Sequence, residues 1–170
     1  MESIKPYENY PFPMVLIAFL VTISIYALGF FIVSGLGYAA AIIFLLFCSG
    51  LEISIMKKSC VDCFYYGRSC ALGRGKVAPF FFKRGDASRF AARCISWKDL
   101  LPDMLVLLIP LVAGTALLIR DFTWSRVMML AGLLALSFGG NYFIRSSIAC
   151  KYCKQREIGC PAEKLFSGER

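Results

Sequence analysis

A cysteine triplet occurs twice in this chain: Cys60, Cys63 and Cys70, then Cys150, Cys153 and Cys160. Both copies read C-x2-C-x6-C, each position in the second lies 90 residues after its counterpart, and both come directly after a long apolar segment. A repeated spacing in a repeated context points to an internal duplication. It also constrains the fold, because two matched apolar segments must deliver two matched thiol hooks.

The apolar segments have membrane-spanning length. Of 170 residues, 58% are apolar and the mean hydropathy is +0.66, whereas soluble domains run at about 45–50% apolar. The excess falls in four blocks, near 14–33, 38–56, 101–119 and 127–144. As helix, a block of about 20 residues rising ~1.5 Å each covers a hydrocarbon core of ~30 Å. Ser34-Gly35-Leu36-Gly37 is too short for anything but a tight helical hairpin, and Arg120 to Arg126 forms the second hairpin turn. Pro11 and Pro13 suit a helix start. Pro110 predicts a kink in the third span, and Arg145 is expected to end the fourth. Ala131, Ala135 and Gly139 set small side chains on one helix face, which either allows close approach by another helix or is the ordinary small-residue content of a membrane helix. Glu2 and Glu8 against Lys5 are unlike the basic start of a secretory signal, so the first block is expected to be a retained span.

The expected fold class is therefore all-α integral membrane: four transmembrane helices in two helical hairpins, related as a pseudo-two-fold tandem duplication, with cytoplasmic cysteine-rich metal knuckles. Residues 1–99 are expected to form the first hairpin with a basic, cysteine-rich loop. Residues 100–170 are expected to form the second hairpin with a cysteine-rich tail. Orientation is read from the basic residues. Segment 57–99 holds ten Lys/Arg and the tail from Arg145 holds six, while the first hairpin turn has none and the second only Arg120 and Arg126. With an even number of spans, both termini and the long loop share a side, and the positive-inside rule makes that side cytoplasmic. Glutathione and thioredoxin keep thiols reduced there, which moves the cysteines from disulfides towards metal or redox chemistry.

The chain has eight cysteines and no histidine. Catalysis by Ser-His-Asp or Cys-His is thereby excluded, as are imidazole-ligated haem and histidine-containing zinc sites. A C-x2-C turn presents two thiolates on one side of a tight loop, both able to reach a metal at ~2.3 Å. A tetrahedral all-thiolate set suits zinc, the leading expectation, or an iron–sulfur cluster. The candidate ligands are Cys60, Cys63, Cys70, Cys94, Cys150, Cys153 and Cys160. Two pairings stand open. Cys60 and Cys63 can meet Cys150 and Cys153 in one shared site, leaving Cys70 and Cys160 as a second symmetric pair. Alternatively, each half builds its own: Cys60, Cys63, Cys70 and Cys94 in one, and Cys150, Cys153 and Cys160 completed by Glu157, Glu163, water or an external ligand in the other. Cys48, inside the second span, reads as a small apolar residue.

A carboxylate within a span is expensive and marks a candidate functional group. Glu52 is such a residue; the simpler expectation is that it sits at the interface and pairs with Lys57 or Lys58. Basic residues interleaved with Phe80, Phe81, Phe82, Phe90 and Trp97 suit a segment lying in the headgroup layer. Lys57, Lys58, Lys83, Arg84, Arg89 and Arg93 are candidates for anionic lipid headgroups, and no nucleic-acid partner is expected. The expected function is a membrane protein that binds metal on its cytoplasmic face, in a structural role or as a docking platform for a cytoplasmic protein. The rival is a membrane redox protein that moves electrons between thiols or a cluster and a quinone. Four spans with cysteine pairs resemble the disulfide-forming quinone oxidoreductases in architecture, but the cytoplasmic side argues against that relation.

Overall fold

The computed structural model describes residues 5–92 and 97–160. Among these residues the regular structure is helical: α1 (Phe12–Ser34), α2 (Tyr38–Ile55), α3 (Arg74–Phe81), α4 (Ala87–Ala92), α5 (Trp97–Arg120), α6 (Trp124–Leu134), α7 (Asn141–Phe143) and α8 (Lys154–Ile158). Three π-helical turns lengthen the spans: Met56–Cys60 continues α2, Ala135–Gly140 joins α6 to α7, and Ile144–Ala149 continues α7. Four helices are long and apolar enough to cross a membrane, at Phe12–Ser34, Tyr38–Cys60, Asp99–Arg120 and Trp124–Ala149. Only 17–28% of their most apolar windows is buried. Phe19, Phe31, Ile43, Leu46, Val112, Ile119, Met128 and Phe138 all point outward. A water-soluble domain does not leave so much apolar surface uncovered, whereas lipid solvates it.

The helix ends extend beyond the apolar blocks in one respect. The helices of the second and fourth spans run past Lys57, Lys58 and Arg145 rather than stopping at them. Long basic side chains can lay their stems along apolar surface and keep their charge in water, so they need not end a helix. Both spans finish in a π-helical turn, closed by Val61 N–H to Met56 O at 3.3 Å and by Cys150 N–H to Arg145 O at 3.0 Å. A π turn widens the helix by one residue and re-aims the chain beyond it.

Backbone contacts divide the chain into two compact units. One comprises Leu20–Glu52 and Lys98–Tyr142 and is a helical bundle. Its core is Ile25, Ile32, Val33, Phe44, Cys48, Val106, Ala113, Leu130 and Leu133. Cys48 is 2% exposed and packs as an apolar side chain. Helix α5 runs through Pro102 and Pro110 without interruption, and Pro110 is fully buried. At the second hairpin, Arg126 donates to the Asp121 carbonyl at 2.5 Å and to its carboxylate at 3.1 Å. A cation at the carbonyl end of α5 complements the helix dipole.

Close helix approach in the bundle occurs at glycines other than those expected. A Cβ on Gly29 would meet the Phe44 ring at 2.8 Å, and one on Gly114 would meet Leu130 at 2.8 Å and Ile32 at 2.9 Å. Ala131, Ala135 and Gly139 lie on the exposed side of the fourth span instead. Spacing alone reveals a face of small residues but not which face the neighbouring helix takes.

The second unit comprises Met1–Phe19, Ile53–Trp97 and Phe143–Arg170, and it carries both cysteine triplets.

Candidate metal centre

The second unit, hereafter the head, contains two matching turns. Cys63 N–H donates to Cys60 O at 3.4 Å, and Cys153 N–H donates to Cys150 O at 3.5 Å. Tyr66 N–H then donates to Cys63 O, and Arg156 N–H to Cys153 O, both at 3.1 Å. Each partner in the second turn lies 90 residues after its counterpart in the first. The match extends to sulfur. The Tyr65 backbone amide is directed at the Cys63 sulfur, and the Gln155 and Arg156 amides at the Cys153 sulfur. Gly75 N–H adds a 3.2 Å bond to Cys70 Sγ. Amides aimed at sulfur favour its anionic form. The turns diverge beyond these bonds, since residues 154–158 form a short helix and the equivalent 64–68 do not.

The segments bearing the two turns are tied by a cluster of aromatic rings. Tyr10, Tyr65 and Ala71 are buried together, with Tyr7, Phe64, Cys63, Cys70, Tyr152 and Cys153 packed around them. Tyr65 Oη donates to Tyr7 O at 2.6 Å and accepts from Lys154 N–H at 3.0 Å, so one side chain bridges three chain segments. Gln155, 2% exposed, accepts from Phe64 N–H at 2.7 Å and donates to Gly159 O at 3.1 Å. Tyr65 and Gln155 occupy equivalent places, two residues after Cys63 and Cys153.

The N-terminal lead, a short polar stretch by sequence, is part of this structure. Tyr7 forms a parallel bridge with Cys153 and donates its N–H to Tyr152 O at 3.0 Å. Tyr10 N–H donates to Ser69 O at 2.9 Å, and Tyr10 Oη to Ala149 O at 2.6 Å. Glu8 pairs with Lys154 at 2.9 Å and Arg68 at 4.0 Å. Those cations hold the Glu8 carboxylate below its ordinary pKa, through the Lys154 hydrogen bond first. The lead thus grips one element from each triplet. Its sequence signal, two tyrosines among charged and proline residues, carries no recognisable motif.

Of the predicted ligands, Cys63, Cys70 and Cys153 lie in the one cluster, half-buried. Cys160 is near enough to both Cys63 and Cys153 to act on their charge. Cys150 is exposed and Cys60 half-buried. Cys94 and Glu163 lie outside the described residues. None of the seven described cysteines forms a disulfide. Among the described residues, no three His, Cys, Asp or Glu side chains are gathered closely enough to hold a metal ion. The cluster is therefore a set of neighbouring thiols rather than a closed ligand shell.

Burial pushes the Cys63 thiol up to about 11 and raises Cys153 as well, against the pull of the amides. Burial also raises Tyr65 to about 12. A thiol so placed is a poor nucleophile at neutral pH. Cations gather outside the cluster: Arg68 lies 4.7 Å and Lys154 5.5 Å from the Phe64 ring centre, and Lys151 lies 5.6 Å from that of Tyr152.

Glu52 belongs to the bundle, where Tyr26 Oη donates to its carboxylate at 2.6 Å. The phenol supplies a polar partner that sequence reasoning does not find, because Tyr26 is on another helix.

Compared with known protein families, curated proteins and solved structures, the chain finds no match.

Proposed function

We propose that the chain is a membrane protein whose cytoplasmic head holds a metal ion, zinc foremost, on thiolates from both triplets. The ligands in this reading are Cys63, Cys70, Cys153 and Cys160, two from each copy of the motif. The observation that carries it is the convergence of the two turns in one unit, with matching backbone bonds and with backbone amides directed at sulfur in both, one at Cys63 and two at Cys153. Such turns are what a thiolate-bound ion requires: sulfurs on one side of a tight loop and N–H groups to spread their charge. Binding draws the four sulfurs to about 2.3 Å from a common ion and releases their protons. Four thiolates around a divalent ion carry excess negative charge, and the nearby rings of Phe64 and Tyr152 carry Arg68, Lys154 and Lys151 on their faces. Cys60 and Cys150, the first cysteine of each copy, lie outside this set of four. Cys94 belongs to the alternative in which each half binds separately.

In this reading, residues 1–99 and 100–170 descend from one hairpin-plus-knuckle unit. The metal fastens the two copies, and the fastened head offers a fixed platform to a cytoplasmic protein. The positive-inside distribution of Lys and Arg supports the orientation.

Metal analysis and visible absorbance of anaerobically purified protein test the proposal. The expected result is colourless protein with about one zinc per chain. A brown protein with visible absorbance replaces zinc with an iron–sulfur cluster and favours electron transfer to a quinone. Metal-free protein with a titratable disulfide overturns both metal readings.

A further inference from the structure

We infer that α3 is a membrane-surface anchor that seats Phe80 and Phe81 in the headgroup layer of an anionic leaflet. The helix has two faces. Gly75 and Ala78 are buried against the head, while Val77, Phe80 and Phe81 share the opposite side and are 42%, 84% and 69% exposed. Lys76, Lys83 and Arg84 flank these rings and are exposed, with Asp86 the nearest acid after them. Paired aromatic rings edged by cations match the interface between acyl chains and anionic headgroups.

The position of α3 within its own unit supports this occupant. The helix packs on the π-helical turn Met56–Cys60, where the second span ends. Gly75 O accepts from Gly67 N–H at 2.9 Å, Tyr66 Oη donates to Phe82 O at 2.7 Å, and Gly85 N–H donates to Val61 O at 3.0 Å. The loop that precedes α3 touches the start of the first span, since a Cβ on Gly73 would lie 3.3 Å from Val15. The exposed rings are thus fixed beside two span ends, where a bilayer surface must pass. This inference does not depend on a metal.

The test uses the full chain in lipid nanodiscs, with Phe80→Trp placed in a Trp97→Phe, Trp124→Phe background. Brominated acyl lipids are expected to quench the emission at position 80, more strongly with phosphatidylserine present than with phosphatidylcholine alone. Lys83→Gln with Arg84→Gln should remove that difference. In parallel, a photoactivatable phosphatidylserine should mark the peptide containing residues 76–84 of the unmodified protein, so the result does not hang on one variant folding. The inference is overturned if position 80 is quenched by aqueous acrylamide and not by brominated lipid, and the photolipid marks span peptides alone. It is equally overturned if the position becomes shielded only when soluble protein is added, which makes a protein the occupant.

Discussion

With a metal shared between the triplets, as proposed, Cys153→Ser is expected to weaken its binding and to loosen a loop that lies about 90 residues earlier in the chain. Structural zinc binding is worth about 10–16 kcal/mol in zinc-finger peptides. Losing one ligand of four, taken as a quarter of that, removes about 2.5–4 kcal/mol, or roughly 70- to 800-fold in affinity. Cys63 and Cys153 sit in one cluster with Cys70, so the loss is felt on both sides of it. Metal content by mass spectrometry should fall, and amide exchange should accelerate in residues 61–75 as well as in 150–160. Cys150 is exposed, and Cys150→Ser should retain the metal. Exchange confined to 150–160, with metal intact, contradicts a shared site.

Gly75→Ala is expected to damage the head almost as much without touching a ligand. A Cβ there would collide with the Tyr65 carbonyl and lie 2.7 Å from the Arg68 carbonyl. Both obstacles are backbone. The Tyr65 carbonyl accepts from Arg68 N–H at 2.9 Å, and Gly75 O accepts from Gly67 N–H at 2.9 Å, so the turn cannot give way cheaply. Overpacking of this kind costs about 1–3 kcal/mol, and more where backbone must move. The shift also displaces the amide that donates to Cys70 Sγ. Thermal unfolding monitored by exchange in residues 61–85 should show the loss, with reduced metal retention. Gly85→Ala is the control. Its Cβ would run into the movable Asp62 carboxylate, and the expected cost stays within about 1 kcal/mol.

The spans are legible in the sequence because hydropathy over twenty residues depends little on tertiary context. Their ends are less so. Lys57, Lys58 and Arg145 resemble stops, but flexible basic side chains permit a helix to continue, and no sequence pattern announces a π turn. The cysteine turns are legible from spacing alone, since C-x2-C imposes its own local geometry. The pairing of the turns is not, because Tyr65, Gln155 and the N-terminal lead join them through contacts between distant positions. Tyr10 to Ala149 spans 139 residues, and no local rule predicts such a bond. Glu52 stands out as a carboxylate in a span, whereas its donor Tyr26 resembles any other aromatic in a membrane helix. Gly29 and Gly114 give no signal for the opposite reason. Each is a lone glycine without a repeat, and its role emerges only when Phe44 or Leu130 is seen against it.

The proposed shared thiolate site is tested most directly by footprinting the cysteines of the natively purified protein. Each thiol is alkylated with and without a chelator, and the rates are resolved by mass spectrometry. Cys63, Cys70, Cys153 and Cys160 should be protected together and released together when the metal is removed, while Cys150 reacts throughout. Protection of Cys63 and Cys70 in step with Cys94, with Cys153 and Cys160 reacting independently, contradicts the account, as does a reaction pattern indifferent to the chelator.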